Sequence, residues 1–303
     1  MTPTTNSETI VIQTFRNHNI PAWIQRCIGS VQNWAEMHQH DYSLAGDEFY
    51  DLCGPEYLAR GRKNPQAITN LARLVATRQH LDAGYRRVIW MDADVFVFDP
   101  ARLVFDFPAE SLTTGYAFGR EVWIYRDAVG VTHVAAPVPH NAATFFTQGA
   151  IDLDMLMTLI RHIDAKRQIV SNFQVGVRLL RGLQYSLMFP TFSHVAVFSP
   201  VLLRALAERD EKTLRIYGQA YRYPACAGNL GLSLEDEITE DVLWRAMDHL
   251  EARMGDAINK YATESGVHLV PYDSEPSIAD HSSTFTKLRD MLRPALRALS
   301  TRR

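Results

Sequence analysis

Hydrophobic periodicity divides this chain into strands and helices from its first turn of sequence. Thr9-Ile10-Val11-Ile12-Gln13-Thr14-Phe15 is rich in β-branched residues and stops at Arg16-Asn17-His18-Asn19, the pattern of a buried strand entering a loop. Pro21 then suits a first helical position, and Ile24, Cys27, Ile28 and Val31 recur at helical spacing through residues 21–39. A short strand, Tyr42-Ser43-Leu44-Ala45-Gly46, and an irregular stretch follow. Asn64-Pro65 opens a second helix whose apolar face carries Ile68, Leu71, Ala72 and Val75, with Asn70, Arg73 and Thr77 on another face. Gly84 ends it, and Arg87-Val88-Ile89-Trp90-Met91 forms an apolar strand that delivers Asp92 and Asp94 at its carboxyl end.

Beyond this point alternation fades. Residues 106–140 read as loops and short strands, with Tyr116, Trp123 and Tyr125 set among charges. Helical spacing returns at 152–166, 200–209 and 239–263. The segment 284–303 is basic and amphipathic, broken at Pro294. There is no internal repeat and no low-complexity tract. A strand followed at once by a helix, then another strand and helix, predicts an α/β fold; we expect one domain over 1–284 and a separate basic tail over 285–303.

Composition narrows the class only a little. A hydrophobic share of 47% and a charged share of 21% are those of a globular chain and exclude disorder or a collagen-like repeat. The net charge of -3 gives no reason to expect a nucleic-acid partner. Cys27, Cys53 and Cys226 are scattered, without a CxxC pair or zinc spacing, which suits a reducing compartment. No run reaches the roughly 18 apolar residues of a membrane span. These points lead us to expect a cytoplasmic, bacterial protein. The basic tail can lie on anionic lipid at the inner face of the membrane or dock as a helix on the domain.

Candidate chemistry centres on Asp92-Ala93-Asp94. In open α/β sheets ligands bind outside the carboxyl ends of the strands. Two carboxylates at such an end can share a hard cation, Mn²⁺ or Mg²⁺, which keeps positions for phosphate oxygens. The bland alternative is a solvated pair on a surface loop.

Arg86 to Pro100, with the Asp-Ala-Asp step after an apolar strand, resembles the segment of GT-A glycosyltransferases that carries their DXD motif. The elements over residues 8–195 are similar in order to those of retaining families 8 and 32. The resemblance implies a three-layer, Rossmann-like nucleotide-sugar-binding fold with a mixed central sheet and helical C-terminal additions. It also implies metal-dependent transfer of a sugar from a nucleotide-sugar, a UDP-sugar first and a GDP-sugar second, to a carbohydrate, lipid, protein or small-molecule acceptor. Asp92 and Asp94 become metal ligands, and Ala93 lies against the donor. His140-Asn141-Ala142-Ala143 is similar to the family's Asn-Ala-Gly element, so Asn141 becomes a ligand of the donor sugar, although Ala143 stands where the family has Gly. Ser171-Asn172-Phe173-Gln174 stands at the family's Asp-Gln-Asp element. It makes Asn172 and Gln174 the candidates for the reacting face of the sugar, with amides in place of both acids. Asp280-His281, followed by Lys287, is loosely similar to the C-terminal His and Lys that hold metal and diphosphate. His268 is the fallback ligand, and His140 and His194 stand behind it.

For the nucleotide, Gln13, Thr14 and Arg16 at the end of the first strand face base and ribose, and Arg73 pairs with phosphate, with Arg78 a weaker choice. Retention is favoured by Asn172, Gln174 and His281. An inverting enzyme using Glu240 or Asp241 after Thr239 stays open, although Thr as helix cap and acids in a first turn explain that trio equally well. A nucleotide-sugar-binding module with impaired turnover also stays open. A haloacid-dehalogenase-like phosphatase fits less well, because Phe96 stands where that motif has Thr or Val and some eighty residues precede the pair.

Overall fold

A computed structural model describes residues 7–61, 65–108, 110–167, 172–231, 238–266 and 269–271. Ser171, His268, His281, Lys287 and the tail 285–303 lie outside them.

The first half follows its periodicity. Strand β1 (Thr9–Thr14), helix α1 (Ala22–Met37), strand β2 (Asp41–Ala45), a 3-10 helix (Asp47–Cys53), α2 (Pro55–Gly61), α3 (Pro65–Asp82) and β3 (Arg87–Met91) appear in that order. Pro21 is the N-cap of α1 and not its first helical residue, because its ψ of 144° is extended. Gly84, at a φ of +107°, takes the left-handed turn that ends the second long helix. Next come β4 (Val95–Val97), β5 (Tyr116–Glu121), the hairpin β6 (Ile124–Arg126) and β7 (Thr132–Val134), and β8 (Val138–Thr147). The chain continues through α4 (Leu153–Arg167), α5 (Asn172–Val175), α6 (Val177–Leu187), β9 (Thr191–Phe192), β10 (Val195–Val197), α7 (Pro200–Glu208), α8 (Glu211–Tyr221), β11 (Ala227–Asn229), α9 (Glu240–Ala252), α10 (Asp256–Asn259) and β12 (Leu269–Val270).

Seven strands form a mixed central sheet in the order β12-β9-β5-β8-β3-β1-β2. β1 is parallel to both β2 and β3; β8 runs antiparallel between β3 and β5. β3 and β5 therefore point the same way and share one carboxyl edge. The sheet is covered on both faces: Ile10, Ile12, Val88, Trp90 and Phe146 pack toward α3, α4 and α6, while Val11, Ile89, Met91 and Phe145 pack toward Trp34 of α1 and Phe105. Burial on both faces explains why these strands read as apolar runs.

A smaller sheet, β10-β11-β4, sits beyond the carboxyl edge. It joins α7, α8 and α9 in a third apolar cluster with Trp23, Phe96, Phe98 and Phe198. The Asp92-Ala93-Asp94 step lies where the three clusters meet, with Trp90, Met91 and Ala93 each packing into a different one. Among the described residues no helix is long and apolar enough to cross a membrane.

Candidate active site

The sheet delivers Asp92 to an edge, and its neighbours fix it there. The Asp92 N–H donates to the Ala142 carbonyl at 2.7 Å, which ties the end of β3 to β8. Gln13 Nε2 donates to the Asp92 carbonyl at 3.1 Å, and Tyr42 Oη donates to Gln13 Oε1 at 2.9 Å. Gln13 is fully buried with both ends of its amide engaged, so it braces the Asp92 turn. Gln13, expected at base and ribose, thus has both ends of its amide bonded within the protein. Thr14 Oγ1 donates to the Ala45 carbonyl at 3.0 Å, and the exposed Arg16 bonds the Asn19 carbonyl at 2.9 Å.

The Asp92 carboxylate uses one oxygen twice. Trp90 Nε1 donates to Oδ1 at 2.7 Å, and Arg73 Nη2 lies 3.2 Å from the same atom. The side chain keeps 27% of its surface exposed, against 6% for that of Arg73. Burial raises the Asp92 pKa, opposed by Arg73 and by the Trp90 hydrogen bond. Arg73 is correspondingly lowered by burial and held up by Asp92 and Asp94. We take the pair as ionised, because each charge is the other's main compensation inside the protein.

Asp94 is 7% exposed, and Asn229 Nδ2 donates to its Oδ1 at 2.6 Å. Asn229 reaches it because β11 and β4 pair antiparallel, with Asn229 opposite Val95. The Leu230 N–H donates to the Asp94 carbonyl at 2.9 Å and closes the turn.

The polar face of α3 is buried as fully as its apolar face. Arg73 donates through Nη1 to the Asn141 carbonyl and through Nε to the Thr69 carbonyl at 3.4 Å, and its guanidinium lies 5.0 Å from the Trp90 ring centroid. Asn141 Nδ2 donates to Asn70 Oδ1 at 2.8 Å. Asn141 is thus brought next to Arg73, as a register irregularity in β8 demands: Phe118 pairs with Thr144, yet the next residue, Gly119, pairs with His140. A cavity of about 20 Å³ beside Asn70, Arg73, Asn141 and Val175 is large enough for one water. Val175 ends α5, so the short helix carrying Asn172 and Gln174 borders this cluster.

Other candidates fall elsewhere. His140 accepts from the Ala142 N–H through Nδ1 at 3.1 Å and donates through Nε2 to the Val195 carbonyl at 3.3 Å, which leaves no ring nitrogen for a metal. His194 is fully buried among Phe105, Phe107 and Phe192. Arg78 pairs with Asp154 at 2.9 Å, away from the Asp92 cluster. Glu240 accepts from Trp244 Nε1 at 3.3 Å, and Asp241, 74% exposed, pairs with Arg245 at 2.9 Å; both serve the first turn of α9. Among the described residues no group of three His, Cys, Asp or Glu side chains converges on one point. His281, Lys287 and the fallback His268 lie outside the described residues.

Four residues of the cluster were not singled out as site residues by sequence: Tyr42, Asn70, Trp90 and Asn229. Asn70 was the most accessible to inference, since it lies one helical turn before Arg73. Asn229 carried no local signal.

No protein-family model matches the chain, and no curated protein sequence matches it. Among solved structures it is similar to a glycosyltransferase involved in the glycosylation of the major capsid of PBCV-1, with 12% identity over 50% of this chain and a TM-score of 0.28. The match covers 65% of that protein, a little under two thirds of its length. It is also similar to the PaToxG glycosyltransferase, with 10% identity, 86% of this chain and 89% of that one covered, and a TM-score of 0.31.

Proposed function

We propose that the chain is a GT-A-type glycosyltransferase that moves a sugar from a nucleotide-sugar to an acceptor with the help of a divalent cation. The observation that carries this reading is the pair Asp92 and Asp94 at the carboxyl edge of the sheet, beside the buried cation Arg73. Each carboxylate is oriented by a fixed neutral donor, Trp90 for Asp92 and Asn229 for Asp94. A carboxylate pair of this kind fits Mn²⁺ or Mg²⁺. Such an ion, when bound, neutralises charge on the leaving diphosphate. His281 is the proposed third ligand, and Lys287 a second diphosphate contact.

The chain's own groups supply the rest. Arg73 faces the diphosphate as a preorganised cation that costs no reorganisation. Thr14 and Arg16 are the proposed contacts of the nucleoside, the Ala93 backbone that of the donor, and Asn141 that of the sugar. Asn172 and Gln174 are proposed at the reacting face, where amides stabilise positive charge without acting as bases; this favours retention. UDP is the first nucleotide to test and GDP the second.

Calorimetry tests the donor half directly. UDP or GDP binds in the presence of Mn²⁺ and at least tenfold more weakly in EDTA, and Asp94→Asn removes the metal dependence while leaving the fold intact. Equal binding with and without metal, or full metal-dependent binding by Asp94→Asn, overturns the reading.

A further inference from the structure

The cavity of about 20 Å³ beside Arg73 adjoins the Asp92 cluster. Seven of its ten lining side chains are apolar, among them Phe118 of β5, Val175 of α5 and Leu179 of α6; Asn70, Arg73 and Asn141 make up the rest. Nine of the ten are buried and Asn141 alone is partly exposed, so the mouth lies at Asn141. That mouth borders the end of β3. The Ala142 carbonyl accepts from the Asp92 N–H at 2.7 Å, and Arg73 reaches Asp92 and the Asn141 carbonyl with one guanidinium.

The interior suits a methyl group better than a water. A buried water needs about two to four polar partners, and apolar cavities stay dry. The three nitrogens of the Arg73 guanidinium already serve the Asn141 carbonyl, the Thr69 carbonyl and Asp92, and Asn141 Nδ2 is engaged by Asn70 Oδ1 at 2.8 Å. That bond turns Asn141 Oδ1 away from Asn70, and among the described residues no donor reaches it. The cavity thus combines an apolar hole with room for about one methyl-sized group and, at its mouth, an amide oxygen that lacks a donor. An acetamido group carries both complements, a methyl at one end and an N–H at the other. On a nucleotide-sugar, the carbon next to the anomeric centre bears the substituent nearest the diphosphate. Arg73, proposed to face the diphosphate, is also a wall of the cavity.

We propose that the donor is a 2-acetamido sugar carried on UDP, with its acetyl methyl in this cavity and its amide N–H donating to Asn141 Oδ1. The proposal rests on the nucleotide-sugar reading above and names the class of sugar. Phe118, Val175 and Leu179 then set specificity through the methyl, and Asn141, held by Asn70, sets it through the amide. A hexose with a hydroxyl on the same carbon leaves the hole unfilled and gains nothing from its apolar walls. An acyl group one carbon longer exceeds the space.

The test is calorimetric titration of the full chain in Mn²⁺ with UDP, GDP, and two matched pairs: UDP-glucose with UDP-N-acetylglucosamine, and UDP-galactose with UDP-N-acetylgalactosamine. In at least one pair the acetamido sugar is expected to bind tenfold or more tightly than the hexose, within the roughly 10- to 200-fold range of one small group in a fitted apolar pocket. The N-propionyl analogue of that sugar binds at least tenfold more weakly than the N-acetyl form. Val175→Ile puts one more carbon into the hole; it removes the acetamido preference, keeps the affinity for UDP and for the hexose donor within twofold, and leaves the melting temperature unchanged or raised. A preference below tenfold in both pairs, a propionyl analogue bound as well as the acetyl form, or a preference that survives Val175→Ile overturns the acetamido assignment and leaves the donor site standing. Should Val175→Ile fail to fold, the propionyl analogue decides on the wild type. Binding of GDP in place of UDP likewise overturns the assignment alone. Failure of both nucleotides to bind with Mn²⁺ overturns the donor reading, and this proposal with it.

Discussion

Replacing Arg73 with methionine removes the guanidinium and keeps an apolar stem of similar length. The lost interactions are the 3.2 Å ion pair with Asp92, the donations to the Asn141 and Thr69 carbonyls, and the stacking on Trp90. Removing one partner of a buried pair costs about 3–5 kcal/mol. Asp92 keeps its Trp90 hydrogen bond and 27% of its surface, so water relieves part of the orphaned charge and the cost falls to the lower end, about 3 kcal/mol. For a chain of this length that lowers the melting temperature by roughly 6 °C. Asp92→Asn is expected to cost a similar amount, because it removes the ion-pair partner of the buried Arg73 cation and leaves only the Asp94 charge to compensate it. The double variant carries neither charge and is expected to be only slightly less stable than either single one. Urea denaturation in EDTA measures all four corners of the cycle, and the coupling energy is expected at about 1.5–3 kcal/mol. Additive effects, within about 0.5 kcal/mol, refute the claim that Arg73 and Asp92 compensate each other.

Two further outcomes concern histidines and a glycine. His140 and His40 are lowered to about 4 and His194 to about 3, in each case chiefly by burial. The unfolded chain, with ordinary histidines, takes up protons first on acidification, so the stabilisation is complete above about pH 6.5 and drains away as the pH falls toward the folded values. Each histidine contributes up to about 1.4 kcal/mol per pH unit over that window; urea midpoints between pH 7 and 4 should show the slope, and His194→Leu should flatten it. A Cβ at Gly119 would lie 2.2 Å from His140 Nε2, so Gly119→Ala should cost roughly 1–3 kcal/mol in thermal denaturation. A neutral effect there would mean that the notch holding His140 is not tight.

The parts of the fold that were legible in sequence are those where one periodicity dominates. β1, α1, α3 and β3 are long enough and apolar enough to be read directly. β5 and the start of β8 fall in the stretch read as loops and short strands, yet β5 and β8 are two of the central strands. Their residues are buried on both faces, Tyr116 to Arg120 without exception, so the alternation that marks a half-exposed strand is absent. The helix expected over 239–263 stops at Ala252, because Met254 and Gly255 turn left-handed and Gly255 packs against Phe98 too closely for a side chain. The pair Asp92 and Asp94 was legible from the strand before it. Asn229 was not, since it stands 135 positions from Asp94 on a strand of three residues.

If Asp92 and Asp94 hold a cation as proposed, the charges at this edge make metal and donor binding interdependent. Asp92 and Asp94 carry two negative charges against the single positive charge of Arg73, so the cluster by itself is net negative and repels a diphosphate. A divalent cation turns the sum from -1 to +1 at the same place. The gain in attraction for the diphosphate must then reappear as tighter metal binding when the nucleotide is present, because coupling between two ligands is reciprocal. Arg73 alone cannot do this work, since Asp92 already consumes its charge at 3.2 Å. On the proposed function, the arrangement therefore favours a donor that arrives with its cation over one that binds first as a bare anion.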